Sequence, residues 1–195
     1  MLARRLADVP LIRVVSSPIE RCHATAQGIA SGRPLDLVLD EDLGECRYGA
    51  WTGAPLADLA KDPLWQVVQN HPSRARFPDS PTYAGEGLAD MAHRVVAAVR
   101  RHDAAVEAEH GPHAVWVAVT HGDPIKAVVA DAVGSHLDHF QRIHTGPASV
   151  TVIRYTDHRP FLLASNVTAE RLAALVAPPP PAAPAGDSVV GGDPG

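Results

Sequence analysis

The sequence has little cysteine, no long apolar run and no excess of positive charge. Cys22 and Cys46 are its two cysteines among 195 residues, which excludes a disulfide framework and a Cys-x-x-Cys motif. No uninterrupted apolar stretch approaches the ~20 residues that span a membrane, and the first residues lack the apolar core of a signal peptide. A net charge of −5 argues against a general nucleic-acid binder, which usually has a basic face. These absences favour a cytoplasmic protein with neither a nucleic-acid nor a membrane partner, and they leave the oligomeric state open.

Short apolar runs alternate with helical patterns over most of the chain. Strands are predicted at residues 11–15, 35–39 and 114–119, and the third run (Ala-Val-Trp-Val-Ala-Val) is apolar on both faces, which is typical of a central buried strand. Residues 150–155 and 161–165 are predicted to form a hairpin. The pattern predicts an α/β fold with three layers, α/β/α, in which a mostly parallel sheet has an antiparallel edge.

The remaining chain adds helices, one irregular segment and a tail of low complexity. Residues 86–110 have the clearest helical periodicity, whereas the three prolines within residues 71–84 predict a surface loop or lid. A last helix is expected over residues 168–176, which would end a domain that covers residues 1–176. The Pro-, Ala- and Gly-rich residues 177–195 are expected to be disordered.

Two strand-to-helix turns hold the candidate binding residues. In the first turn Ser17 is a candidate N-cap, and Arg21 lies in the first turn of the following helix; the second turn holds His121 and Gly122, with Asp123 as its candidate cap. Ligands of α/β sheets bind at the carboxyl ends of the strands, and a helix N-terminus beside an Arg favours an anion. Arg21 and His121 are therefore expected to converge on one anion, with Gly122 allowing close approach of the backbone.

Glu45 is the third candidate, in a loop that also holds Tyr48 and Trp51. A carboxyl group packed among aromatic rings acquires a raised pKa and can act as a general acid. Each candidate taken alone also has a structural interpretation, as an exposed ion pair for Arg21 or a solvated acid for Glu45. The 11 histidines form no HExxH motif and no Cys/His cluster, so neither a metal nor a cofactor is expected.

Four segments, in this order and spacing, resemble the histidine phosphatase superfamily, which includes phosphoglycerate mutases, broad phosphatases and α-ribazole phosphatases. The segments are Ser16-Ser17-Pro18-x-x-Arg21-x-x-x-Thr25-Ala26, Glu45-x-x-Tyr48-Gly49-x-Trp51-x-Gly53, Gly85-Glu86 before a helix with Arg94, and Thr120-His121-Gly122. The continuation Asp-x-Ile-Lys after the last segment looks like the phosphomutase branch of actinobacteria. The resemblance covers about residues 1–166.

The resemblance implies a phosphoglycerate mutase-like fold and a phosphomonoester hydrolase or phosphomutase that acts on a small phosphorylated metabolite through a phosphohistidine. By position, Arg21 would neutralise phosphoryl oxygens and His121 would hydrogen-bond the phosphoryl group in the transition state. Glu45 would protonate the leaving oxygen and later activate water. Gly122 would line the substrate pocket.

The chain departs from the family pattern at the nucleophile. The family's Arg-His-Gly motif, which carries the nucleophilic histidine on the first strand, does not occur in this sequence. The chain therefore resembles a member that lacks its first strand, first loop and part of its first helix, and a start site placed too late is the expected reason. Because the family's first strand is central, residues 11–15 and 115–119 are both expected to lose a neighbour.

Two further differences affect the predicted function. Gly87 stands where the family has Ser after Gly-Glu, and Cys46 stands where the mutases have Arg, which argues against a phosphoglycerate mutase. A non-catalytic protein that binds a phosphate ligand through Arg21 and His121 is the alternative to an enzyme. A small metal-binding protein that uses its histidines is a third, weaker hypothesis.

Overall fold

A parallel three-stranded sheet forms the centre of the computed structural model, which describes residues 2–168. The strands are β1 (Leu11–Ser16), β2 (Asp36–Leu39) and β3 (Val115–Val119), in the order β2-β1-β3. Strand β1 pairs in parallel with both neighbours. The predicted α/β fold with a parallel sheet is confirmed, whereas the predicted tail and all but the first residue of the predicted last helix lie outside the described residues.

Helices connect the strands and cover the sheet. They are α1 (Leu2–Arg5), α2 (Glu20–Ala30), α3 (Leu56–Leu59), α4 (Pro63–Asn70), α5 (Leu88–His110) and α6 (Gly122–Ala132), with short 3₁₀ turns at Glu41–Leu43, Gly49–Trp51, Pro72–Arg74 and Leu137–Arg142. Successive residues of a strand point to opposite faces. Val14 accordingly packs in a cluster with Ala26 of α2, and Val15 packs in a second cluster with Val95 of α5. Helices thus bury both faces of β1.

The hairpin forms a separate sheet rather than an edge of the parallel one. Strands β4 (Val150–Arg154) and β5 (Phe161–Val167) pair with each other, antiparallel, and with no other described strand. Arg5 fastens this hairpin to α1 by donating to the carbonyl oxygens of Ala148 and Val167. The predicted antiparallel edge is therefore corrected to a two-stranded sheet that lies beside the parallel one.

Strand β3 lies at the end of the parallel sheet, not at its centre. Strand β1 separates β2 from β3, so the prediction that residues 11–15 would lack a neighbour is wrong. The other edge of β3 pairs with no described strand, and none of its residues is buried; Val115 is 36% exposed. The prediction of a central buried strand was also wrong, because an apolar sequence shows that a strand can be buried but not which strands will cover it.

Part of the proline-rich segment belongs to the core. Ala75 and Phe77 are buried, and Phe77 packs edge-on against Tyr48 with 5.0 Å between ring centroids. The amide N–H of Phe77 donates to the carbonyl oxygen of Glu86 at 3.0 Å. The prediction of a surface loop is wrong for these residues, because prolines interrupt regular hydrogen bonding without preventing burial of the side chains between them.

Gly49 allows the loop after Glu45 to approach this segment closely. Its φ of +53° lies in the left-handed region, and a Cβ at Gly49 would stand 2.0 Å from the carbonyl oxygen of Pro78. Gly53 has a similar backbone, with φ of +79°, but a Cβ there would meet nothing within 4 Å. The two glycines therefore separate the cost of backbone conformation from the cost of a steric clash.

We expect Gly49→Ala to destabilise the protein more than Gly53→Ala. Both variants pay about 1–2 kcal/mol for the left-handed backbone, and Gly49→Ala adds roughly 1–3 kcal/mol of overpacking. Urea unfolding followed by circular dichroism measures both free energies. Equal losses in the two variants would contradict the close approach of Gly49 to Pro78.

Candidate functional site

The register of β1 against β3 brings the two predicted turns together. Ser16 lies opposite Val119, and the amide N–H of Ser17 donates to the carbonyl oxygen of Val119 at 2.9 Å. Beyond this last rung the side chains meet directly, since Arg21 Nη2 lies 2.7 Å from His121 Nδ1. The guanidinium and the imidazole, 100 residues apart in sequence, are therefore adjacent.

The partners of His121 fix its tautomer and its charge. A guanidinium has only donors, so Nδ1 accepts from Arg21 and the ring proton is on Nε2, which donates to Ser17 Oγ at 2.8 Å. Burial of the ring, together with the positive charges of Arg21 and Arg94, lowers the pKa of His121 to about 4. His121 is thus a neutral imidazole near pH 7.

The sequence predicts Ser17 as a helix cap, but in the structure Ser17 binds the imidazole of His121. Helix α2 begins at Glu20, its N-cap position is Ile19, and no side chain caps it. Ser17 Oγ accepts from the amide N–H of Ile19 at 3.3 Å and from His121. The predicted cap is therefore wrong, because the hydroxyl group that could cap a helix instead binds His121, which follows strand β3.

Cys22 contacts the same imidazole but is not a nucleophile. Its Sγ lies 3.5 Å from His121 Nε2 and donates to the carbonyl oxygen of Thr120 at 3.3 Å. Burial raises the pKa of the Cys22 thiol to about 11. The thiol is therefore protonated near pH 7, and a protonated thiol does not attack phosphorus or bind a metal.

Glu45 is a buried carboxyl group that retains its proton. Its Oε1 accepts from the amide N–H of Cys46 at 2.9 Å, and its Oε2 is buried without a hydrogen-bond partner. Burial, reinforced by the negative charge of Asp123, raises the pKa of Glu45 to about 8. Near pH 7 the group is therefore mainly a neutral acid that can donate a proton.

A buried ion pair holds the loop that carries Glu45. Arg94 on α5 binds both carboxylate oxygens of Glu86, at 2.7 and 2.9 Å. The same guanidinium donates to the carbonyl oxygens of Asp42, Gly44 and Glu45 at 2.8, 2.9 and 2.9 Å. Because one planar guanidinium group makes all these hydrogen bonds, it fixes the backbone of Glu45 relative to α5.

Asp123 anchors a second buried network instead of capping α6. Tyr48 donates its hydroxyl proton to Asp123 Oδ2 at 2.9 Å, and Lys126 Nζ lies 3.5 Å from Asp123 Oδ1. Helix α6 has no side-chain cap, so the predicted role of Asp123 is wrong. The carboxylate instead ties the Glu45 loop to α6 and contributes the negative charge that raises the pKa of Glu45.

All four sequence-predicted site residues line one cleft of about 640 Å³, which lies between β3 and the start of β4. They are Arg21, Glu45, His121 and Gly122. Arg21 and Gly122 belong to the first turns of α2 and α6, whose free N–H groups and dipoles favour an anion. The cleft therefore combines a guanidinium, a neutral imidazole, a protonated carboxyl group and two helix N-termini.

Sequence reasoning named Ser17, Arg94 and Asp123 but missed what they position. Their bonds to His121, to the carbonyl oxygen of Glu45 and to Tyr48 join residues 104, 49 and 75 positions apart. No local pattern carries such information. Arg94 follows Glu86 by eight residues on one helix-forming segment, which gives a weak signal for an ion pair and none for the carbonyl oxygens it binds.

Two other site types can be assessed over residues 2–168. No group of three or more His, Cys, Asp or Glu side chains in this range is arranged to hold a metal ion. No helix in the same range is long and apolar enough to cross a membrane. Cys22 and Cys46 are both buried free thiols.

The family model for the histidine phosphatase superfamily (branch 1) matches residues 1–168. The chain belongs to this superfamily. The resemblance noted in four short segments therefore extends over the whole described fold.

The relatives of this chain include two proteins whose names give a phosphatase activity. The chain is 31% identical over 143 residues to a bifunctional protein of Mycobacterium tuberculosis. This match covers 73% of this chain and 36% of that protein. It therefore spans about a third of the length of that relative. It is 27% identical to phosphoserine phosphatase 1 of Hydrogenobacter thermophilus over 86% of this chain and 76% of that one. A mycobacterial glucosyl-3-phosphoglycerate phosphatase, solved with VO₃, shares the fold at a TM-score of 0.72 and 24% identity, covering 86% and 82% of the two chains.

The raised pKa of Glu45 predicts a pH dependence of stability. The unfolded carboxyl group ionises near pH 4.5 and the folded one near pH 8, so between these values the folded state holds one more proton. The free energy of unfolding therefore falls as pH rises through this window, by about 1.4 kcal/mol for each pH unit within it. We expect Glu45→Gln to abolish this contribution.

Guanidinium unfolding of the wild type and Glu45→Gln at pH 5 and pH 8 tests this. The stability difference between the two proteins should shift in favour of the variant at pH 8. A difference that is the same at both pH values would show that Glu45 is ionised in the folded protein.

Proposed function

We propose that this chain is the phosphoryl-binding part of a phosphomonoester hydrolase or phosphomutase that acts through a phosphohistidine intermediate. The observation that carries the proposal is the cleft in which Arg21, His121 and a protonated Glu45 meet at two helix N-termini. A phosphate dianion needs positive charge and N–H donors, whereas its leaving oxygen needs an acid. The cleft offers both within one cavity.

Each residue has a role that follows from its chemistry. Arg21 is exposed to the cleft, and its fork of donors matches two phosphoryl oxygens. Neutral His121 carries its proton on Nε2 and can donate it to a third phosphoryl oxygen in place of Ser17. Glu45 protonates the leaving oxygen, and the carboxylate that results then accepts a proton from the attacking water or hydroxyl group. Gly122 supplies backbone at the first turn of α6.

The nucleophile comes from outside residues 2–168. His121 is the single histidine that lines the cleft in this part of the chain, and both of its ring nitrogens are engaged, with Arg21 and with Ser17. It therefore serves as a donor to the phosphoryl group and not as the attacking base. A second imidazole must reach the opposite side of the bound phosphoryl group for in-line transfer.

A non-catalytic phosphate-binding protein is the second candidate. The described residues supply several anion-binding groups to the cleft, but a single histidine, His121, whose two ring nitrogens are both engaged. For the 195-residue chain by itself, this combination favours phosphate binding without catalysis. The two candidates differ in one respect, because only the enzyme requires Glu45 to act as an acid. The ligand in either case is a small phosphorylated metabolite, as for the phosphoserine and glucosyl-3-phosphoglycerate phosphatases that the chain resembles.

We expect Arg21→Ala to weaken vanadate binding at least about tenfold. A hydrogen bond to a charged partner contributes roughly 1.5–3 kcal/mol, and each 1.4 kcal/mol corresponds to about tenfold in affinity. Isothermal titration calorimetry with orthovanadate measures the change. Arg101→Ala, which removes an exposed guanidinium outside the cleft, is the matched control and should bind like the wild type. Unchanged affinity in Arg21→Ala would remove Arg21 from the site.

We expect the 195-residue chain alone to turn over p-nitrophenyl phosphate at a negligible rate, because the cleft holds no attacking histidine among its described residues. Assays at pH 6–8 against a buffer control measure the rate. Turnover by the wild-type chain that disappears in His121→Ala would contradict this expectation, because it would show that the described cleft is catalytic without a further histidine.

A further inference from the structure

Two ionisable side chains of α6 are buried beside the cleft. Asp123 is 0% exposed and Lys126 is 2% exposed. They lie one helical turn apart, with 3.5 Å between Asp123 Oδ1 and Lys126 Nζ. Because the removal of two charges from water is costly, a buried ion pair is a weak source of stability. An effect of the pair on a neighbouring group explains its position better.

The ammonium group of Lys126 is fixed by contacts outside α6. It donates to Gln141 Oε1 at 3.2 Å and lies 5.7 Å from the centre of the Phe140 ring. Both residues belong to the 3₁₀ turn Leu137–Arg142 and are buried. An amide oxygen and the face of an aromatic ring both attract a cation. These contacts hold the positive charge of Lys126 beside Asp123.

Asp123 has a donor for each of its carboxylate oxygens. Tyr48 donates its hydroxyl proton to Oδ2 at 2.9 Å, and Lys126 donates to Oδ1. Hydrogen bonds to the charged form and an adjacent cation both favour the carboxylate over the acid. Asp123 is therefore equipped to carry a negative charge inside the protein.

Glu45 is a second buried carboxyl group in this region, and its surroundings differ. Its Oε1 accepts from the amide N–H of Cys46, whereas its Oε2 is buried without a hydrogen-bond partner. Tyr48 follows three residues later in the same loop, so its bond to Asp123 keeps the two carboxyl groups near each other. When two carboxyl groups interact, one of them ionises and the other retains its proton. The hydrogen-bond partners assign the charge to Asp123 and the proton to Glu45.

Charged and titratable groups from several elements surround Glu45. Burial raises the pKa of Glu45 most, and the negative charge of Asp123 raises it further. The positive charges of Arg21 and Lys126 lower it, so the two charges on α6 act on Glu45 in opposite directions. The full set comprises Arg21 and Cys22 from α2, Asp123 and Lys126 from α6, Cys46 and Tyr48 from the loop itself, Arg94 from α5, and His121 after β3.

We propose that Asp123 and Lys126 are positioning residues for the proposed acid: Lys126 and Tyr48 hold Asp123 as the carboxylate, and Asp123 keeps the proton on Glu45. The consequence for the reaction rests on the proposed function. When Glu45 gives its proton to the leaving oxygen, the new carboxylate lies near the negative charge of Asp123. It therefore accepts a proton from the attacking water or hydroxyl group more readily than an ordinary carboxylate does. The pair on α6 thus suits one side chain to both steps near neutral pH.

NMR titration of Glu45 in the full chain, without ligand, tests the proposal. The side-chain carboxyl carbon of Glu45 in ¹³C-labelled protein, assigned with Glu45→Gln, gives the pKa in the wild type and in each variant. Asp123→Asn keeps the size of the side chain and an oxygen for Tyr48 but removes the charge. We expect it to lower the proton affinity of Glu45 at least about tenfold, which is seen as a lower pKa.

Lys126→Met should shift the same carboxyl group in the opposite direction. Methionine is also unbranched and fills a similar space without a charge. The loss of a cation near Glu45 should raise its pKa, while Tyr48 still donates to Asp123. A structural disturbance alone would move both variants in one direction, because water that enters a loosened site returns the pKa of Glu45 toward its ordinary value.

Two control variants separate the charge of Asp123 from its other properties. Asp131→Asn removes the same charge from the same helix, where Asp131 pairs with Arg100 at 2.7 Å, and should leave the pKa of Glu45 unchanged. Tyr48→Phe removes the bond between the loop and Asp123 without removing a charge, and should shift Glu45 less than Asp123→Asn does. Circular dichroism checks the fold of each variant. If Asp123→Asn does not fold, the sign of the shift in Lys126→Met decides.

Three results would overturn the proposal. An unchanged pKa of Glu45 in Asp123→Asn would show that Asp123 does not hold the proton there. A pKa of Glu45 that is unchanged or lower in Lys126→Met would remove Lys126 from this role. An equal shift in Asp131→Asn would show that the effect is not specific to the buried pair.

The titration requires neither a ligand nor turnover, so its failure is distinguishable from failure of the proposed function. Vanadate binding that depends on Arg21, with Glu45 unchanged in Asp123→Asn, would support the phosphoryl site and contradict the pair. A lower pKa of Glu45 in Asp123→Asn, in a protein that does not bind vanadate, would support the pair and contradict the phosphoryl site.

Discussion

The direct pairing of β1 with β3 is the constraint on which the site depends. Because the two strands run parallel and in register up to Ser16 and Val119, the turns that follow them must emerge at the same edge of the sheet. Two helices then begin side by side, and Arg21 and His121 come within hydrogen-bond distance. A slip of one residue in this register would point the alternate side chains to the other face and separate the pair.

Burial gives the site its chemistry once the pairing has given it its shape. The same exclusion of water that keeps His121 neutral keeps Glu45 protonated, so the cleft combines one cation with two uncharged donors. Under the proposed function, this set places no negative charge at the point where a phosphoryl dianion would be contacted. Burial of Glu45 is unfavourable, and Arg94 helps to offset it by holding the Glu45 loop through three carbonyl oxygens and the carboxylate of Glu86.

The hairpin of β4 and β5 is a sheet of its own, and a gap separates it from β3. Strands β3 and β4 each pair with one described strand, and both line the cleft, so the candidate site and the gap between the two sheets are one space. The proposed phosphoryl site and the free edge of β3 therefore lie next to each other.

The sequence by itself determined the local elements and named the candidate side chains of the site. Alternation of apolar runs and helical periodicity predicted the α/β fold, and short motifs predicted Arg21, Glu45, His121 and Gly122, because these signals lie within a few neighbouring residues. Tertiary structure decided the rest: that β3 lies at an edge, that Ser17 and Asp123 bind distant side chains instead of capping helices, and that Arg94 anchors the Glu45 loop. A pattern in sequence shows which surface a residue can bury, but the partner that buries it comes from a strand or helix tens of residues away, and only the folded chain brings the two together.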